Sequence, residues 1–199
     1  IKDIETKLRN KAKHAEFYYV FNPKTGEGVA HSSGWPEAVF FSPDIDDYIR
    51  GLGENNISIH NHPGRNDQTN KEDVPPSLTD INLVTTHKVG EVRIVGESMT
   101  MVVTIKKFDT AFFHEVMKPA FRQYSQDHVT DYIPDFFDVP PTEIDVGGFP
   151  NAEYQRMRLR TDSSYAEQVS IYQRAQWRWF ANEFSEHFDY KEIPYDDSD

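Results

Sequence analysis

Residues 57–64 read Ile57-Ser58-Ile59-His60-Asn61-His62-Pro63-Gly64. Apolar and polar positions alternate up to a Pro-Gly pair, the pattern of a β-strand running into a turn. Side chains at i and i+2 of a strand leave from one face, so His60 and His62 can offer two imidazoles to one ion while Asn61 points away. Downstream, Pro76-Ser77-Leu78-Thr79-Asp80 places a carboxylate, Asp80, at the start of the next element. Two imidazoles and a carboxylate, with a fourth position left to water, make the open ligand set of a hydrolytic zinc site. Each half also has a plainer reading. Ser77 and Asp80 form a Ser-x-x-acid capping pattern that needs no metal, and two histidines before Pro-Gly are also ordinary turn residues.

The flanking pattern predicts an α+β (α/β-like) fold with a mixed sheet flanked by helices. Residues 3–14 carry Ile4, Leu8 and Ala12 at helical spacing, a short basic amphipathic helix. Phe17–Phe21 is an aromatic strand, Asn22–Gly26 a turn, and Gly28–Ser32 the return strand of a hairpin. Val39–Phe41 is short and apolar. Ser42-Pro43-Asp44 starts a helix, with a Ser cap, Pro at the first helical position and acid in the first turn. That helix runs through Ile45, Tyr48 and Ile49 to Gly51 or Gly53. Arg65–Pro75 lacks apolar periodicity and reads as a surface loop. Ser77 then opens a helix ending near Gly90, and Glu91–Val95 and Met101–Ile105 form two strands joined at Gly96-Glu97-Ser98.

The texture changes after residue 107, which divides the reading into a core domain, 1–107, and a mainly helical C-terminal extension, 108–199. Asp109–His128 is helical except for Pro119, which should kink or end it. Residues 132–150, rich in Pro and Gly, read as an irregular connector. Arg156, Arg158 and Arg160 alternate as a strand face would. Ser163–Phe188 is a long helix whose aromatic residues suit a core or a docking surface.

A formal net charge of −12 repels phosphate backbones, so nucleic acid is a disfavoured partner. With no cysteine, neither a disulfide nor a thiolate metal site can form, and the redox compartment stays open. No apolar run approaches the roughly 20 residues that span a bilayer, and no signal peptide is visible in a chain that opens at Ile1. The expected location is cytoplasmic or virion-associated, without a membrane.

His60-Asn61-His62-Pro63 followed by Ser77-Leu78-Thr79-Asp80 resembles the His-x-His-Pro and Ser-x-x-Asp motifs of JAMM (MPN) metallopeptidases. The wording is closest to RadC-like proteins and to the JAMM-like domains attached to phage minor head proteins and polymorphic toxins. The resemblance covers roughly residues 14–106. It implies a Zn2+ cofactor held by His60, His62 and Asp80, with Ser77 positioned on the developing oxyanion. The family's upstream Glu acts as general base on the attacking water, and Glu16, directly before an aromatic strand, matches it best by context; Glu27 and Glu37 are alternatives. The implied activity is hydrolysis of peptide or isopeptide bonds, with a protein or peptide as substrate. The alternative is a catalytically silent phage or virus head-associated module of the same fold, whose C-terminal half binds virion or head proteins. One departure from the family pattern is the longer polar segment between His62 and Ser77, which would overhang the metal.

Overall fold

The computed structural model describes residues 1–10, 16–31, 42–62, 73–107, 109–146 and 148–195. The expectations for Ala12, Glu37, Val39–Phe41 and most of the 65–75 loop lie outside the described residues.

Six strands form one mixed sheet in the order β2-β1-β3-β4-β5-β6. They are β1 (Tyr18–Phe21), β2 (Gly28–His31), β3 (Asn56–Asn61), β4 (Val89–Val95), β5 (Met99–Ile105) and β6 (Phe188–Pro194). Helices α1 (Lys2–Asn10), α2 (Pro43–Gly51) and α3 (Leu78–His87) accompany the first four strands. The pairing of β3 with β4 is parallel, with α3 as the crossover, and the other described pairings are antiparallel. The C-terminal half adds α4 (Thr110–Phe112), a π-turn (Phe113–Met117), α5 (Lys118–Tyr132), α6 (Ala152–Thr161) and α7 (Ser163–Glu183). The fold is therefore α+β, as the sequence pattern predicts.

Strand parity decides which residues meet. Ile57 and Ile59 of β3 pack under α1 with Leu8 and Val95. Ser58 and His60 occupy the opposite face, in register with Val20 and Tyr18 of β1, where Ile49 and Leu52 at the end of α2 close over Tyr18 and Val20. On that same face Ile94, Met101 and Val103 pack against Ile81 of α3 and against Phe113, Trp177 and Phe180 of the C-terminal helices. Residues on both sides of position 107 thus share one apolar cluster.

Three expectations are corrected, and a fourth, that Pro119 kinks or ends its helix, loses one of its two alternatives. The helix opened by Ser77 ends at His87 rather than near Gly90, because Lys88 takes a left-handed conformation (φ 52°) and hands the chain directly to β4. Pro119 does not end its helix. Pro has no N–H and its ring presses on the carbonyl four residues back, and the wider π-turn just before it absorbs both defects. Arg156, Arg158 and Arg160 lie on α6 rather than on a strand. The helix is started by Asn151, whose side chain accepts from Tyr154 N–H at 2.9 Å. Helical periodicity turns Arg158 away from the other two, toward Asp135 at 2.9 Å and over the Tyr165 ring. Finally, the 163–188 helix stops at Glu183, and residues 188–194 form β6 against β5. Phe188 is buried there and Tyr190 stacks on Trp177, contacts that override local helical preference.

Candidate metal centre

The candidate centre sits where β3, the first strand of the parallel pair, ends and α3 begins, a position where α/β folds open a crevice at the carboxyl ends of strands. β3 ends at Asn61, so His60 projects from its last turn of pleat and His62 follows on the same face. Their Nε2 atoms stand 3.2 Å apart. Asp80 closes the group, with Oδ1 at 3.3 Å from His60 Nε2 and Oδ2 at 3.8 Å from His62 Nε2. Donors around a tetrahedral ion with bonds of about 2.0–2.1 Å stand about 3.3–3.4 Å apart. The three side chains therefore already have the mutual spacing of a coordination shell, and the donor set suits a divalent metal.

Glu16 arrives from the neighbouring strand. The β1–β3 register pairs Tyr18 with His60, and carried two residues back it sets Glu16 against His62 on the same face. Glu16 Oε1 lies 3.7 Å from His60 Nε2, and the residue is 7% exposed. One ligand atom from each of Glu16, His60, His62 and Asp80 falls within 4.8 Å of all the others. Glu27, the alternative in the hairpin turn, is exposed and hydrogen-bonds locally to Thr25. Glu37 lies outside the described residues.

Two residues that the sequence pattern did not single out hold this geometry. Asn61 does point away from the two imidazoles, but its buried Oδ1 accepts from the Phe17 N–H at 2.8 Å while its own N–H donates to the Phe17 carbonyl at 3.4 Å. Phe17 directly follows Glu16, so this clamp carries the β1 ladder to the residue that must reach the site. Val74 supplies a backbone carbonyl to His62 Nδ1 at 3.2 Å. That contact fixes the ring and turns Nε2 toward the cluster, the arrangement found behind a ligating histidine. Tyr18 adds a ring stacked 5.1 Å from the His60 imidazole.

The capping reading of Ser77-x-x-Asp80 holds, and it does not exclude the ligand reading. Ser77 N–H donates to Asp80 Oδ2 at 2.6 Å and Asp80 N–H donates to Ser77 Oγ at 3.2 Å, a reciprocal capping box at the start of α3. The box orients Asp80 so that its carboxylate also meets both imidazoles. Ser77 itself is exposed, and as an N-cap its hydroxyl accepts from the backbone.

The electrostatics follow from packing acids and imidazoles out of water. Burial pushes the Glu16 carboxyl up to about 7, against the opposing pull of His60. Burial acts to raise Asp80 too, but the charge and hydrogen bond of His60, the charge of His62 and the Ser77 hydrogen bond hold it well below the usual carboxylate range. For His60 burial opposes the imidazolium, and the carboxylates of Asp80 and Glu16 outweigh it and raise the ring above its ordinary value. In the metal-free chain one carboxyl is thus poised near neutrality beside another held as an anion.

The histidines outside the motif have other contacts. His87 pairs with Asp46 at 2.5 Å and ties α3 to α2, His187 stacks on Phe112, and His128 pairs with Asp131. No helix among the described residues is long and apolar enough to cross a membrane. Against protein-family models, curated proteins and solved structures, the chain gives no match.

Proposed function

We propose that the chain is a zinc-dependent hydrolase of peptide or isopeptide bonds of the JAMM, RadC-like type, with His60, His62 and Asp80 as ligands and Glu16 as general base. The observation that carries this reading is Glu16: a carboxyl only 7% exposed, set by strand register 3.7 Å from a candidate ligand atom. Zinc held by His60, His62 and Asp80 would supply Lewis acidity toward the attacking water. Glu16 takes the proton released by the attacking water and delivers it to the leaving amine, the two halves of one acid–base cycle. Ser77, fixed at the α3 N-terminus, is positioned as the donor to the oxyanion, where its hydroxyl and the positive end of the helix act together. The inward placement of Glu16, beside the candidate ligands rather than in solvent, supports this reading over a catalytically silent head-associated module.

The test is bound metal per chain, by elemental analysis of protein purified without a metal-binding tag, together with hydrolysis of peptide and isopeptide panels. Near-stoichiometric zinc that disappears in His62→Ala, with hydrolysis that disappears in Glu16→Gln, is the expected result. A chain that takes up no zinc, or a Glu16→Gln variant that hydrolyses as wild type does, overturns it.

A further inference from the structure

We propose that helix α7 is the brace of the metal centre: Ser170 and Trp177 act as positioning residues that hold the Asp73–Pro76 segment, and through it the orientation of His62 and the start of α3. The proposal rests on the reading of Glu16, His60, His62 and Asp80 as a metal site.

Asp73–Pro76 is a segment with few means of holding itself. It belongs to no strand or helix, and Pro75 and Pro76 have no N–H to give a ladder. Val74, Pro75 and Pro76 are nevertheless buried, so the segment's carbonyls need donors from elsewhere. Three of them receive one. Ser170 Oγ donates to the Asp73 carbonyl at 2.7 Å, His62 Nδ1 meets the Val74 carbonyl at 3.2 Å, and Trp177 Nε1 donates to the Pro76 carbonyl at 2.9 Å. The His62 contact thus lies between two pins from α7.

The pins match in geometry. Ser170 and Trp177 are seven residues apart, so they share one helix face and stand about 10.5 Å apart along its axis. Three residues of extended chain, from Asp73 to Pro76, cover about 10 Å. The helix and the segment therefore run side by side with their contacts in step. The far side of the segment is held as well. The Asp73 carboxylate accepts from the Ser98 N–H at 3.0 Å and from its hydroxyl, and a Cβ on Gly96 would collide with that carboxylate. Clamped between the β4–β5 hairpin and α7, the segment delivers Ser77 to the capping box that aims Asp80.

Ser170→Ala and Trp177→Phe each remove one donor and keep most of the packing volume, and Phe180→Leu is the control. Phe180 is a fully buried core residue of the same helix. Zinc affinity by chelator competition, the absorption spectrum of the Co2+ form and hydrogen exchange across residues 73–80 are measured for each. The double variant Ser170→Ala/Trp177→Phe is expected to bind zinc about tenfold or more weakly, the range seen when groups behind metal ligands are removed. Its Co2+ bands shift, exchange across 73–80 speeds up, and Ser170→Thr, which keeps the hydroxyl, behaves as wild type. Phe180→Leu lowers the melting temperature without moving those readouts. Wild-type affinity and spectrum in the double variant, or equal weakening in Phe180→Leu, overturn the brace. If the wild-type chain takes up no zinc, the metal reading fails separately. Exchange across 73–80 then decides: acceleration in the double variant alone supports the brace, and no acceleration overturns it.

Discussion

The two banks of the candidate metal centre are held by different interactions. On one bank, His60, His62 and Glu16 hang from adjacent antiparallel strands, where backbone ladder bonds fix the register and Asn61 extends it to Phe17. On the other bank, Val74 sits on a segment without ladder bonds, pinned by single side-chain donors from residues about a hundred positions later in the chain, and Asp80 follows it in the first turn of α3. A ladder is redundant, because each bond supports its neighbours and a one-residue slip would turn every side chain to the wrong face. A set of single pins has no such redundancy. The strand bank should therefore tolerate most changes that keep the register, while the segment bank should respond to the loss of one donor.

Replacing a ligand on either bank should have the largest effect. His62→Ala is expected to take bound zinc from near one per chain to near none, by elemental analysis, with the fold kept by circular dichroism. Glu16→Gln separates chemistry from binding on the strand bank: zinc stays and the hydrolysis rate falls by about 10²–10⁴-fold, the usual contribution of a general base.

The third test uses pH in the metal-free chain. The folded pKa of Glu16, raised to about 7 from 4.5, means that the folded state binds the proton more tightly than the unfolded state does. Its stability contribution is full below about pH 4.5 and is lost as pH rises through 7. The loss is about 3 kcal/mol at 1.36 kcal/mol per pH unit. His60, also raised, acts in the same direction, whereas lowered Asp80 contributes stability that is lost only as pH falls below 3.8. The denaturant midpoint of the metal-free chain should fall between pH 5 and pH 8, and Glu16→Gln should remove most of that fall.

The smallest effect separates ladder from pin. Asn61→Leu leaves the Phe17 N–H without its side-chain acceptor, at a cost of about 1–3 kcal/mol by chemical denaturation. Hydrolysis should fall more than zinc affinity does, because the Asn61 side chain bonds the backbone directly after Glu16. A loss of zinc affinity equal to that of the α7 double variant would erase the proposed difference between the banks.

Much of this site was legible in the chain because its signals are local. Alternation around Ile57–His62 gave the strand and put two imidazoles on one face, and Ser77-x-x-Asp80 gave the helix start. The two explanations of that second motif looked like rivals only because a sequence does not show that one carboxylate can cap a helix and meet two histidines at once. Asn61 was visible as a residue pointing away, but its partner lies 44 positions earlier. Val74 offered no signal at all, since its contribution is a backbone carbonyl. In the C-terminal half the errors have the same origin. The arginines at 156, 158 and 160 alternate with a period of two yet lie on a helix, and β6 exists because β5 presents an open edge, which local propensity does not record.

The sequence by itself determined the element types around the motif, the shared face of His60 and His62 and the position of Asp80 in the first turn of a helix. These depend on spacing within a few residues and on backbone geometry that is the same in every protein. Only the tertiary structure decided that Glu16 reaches the same point, that Val74 fixes the His62 ring and that α7 lies along the segment behind it. Those facts depend on strand register and on pairings between residues up to 101 positions apart. Such contacts form only when the whole core closes, and no local pattern encodes them.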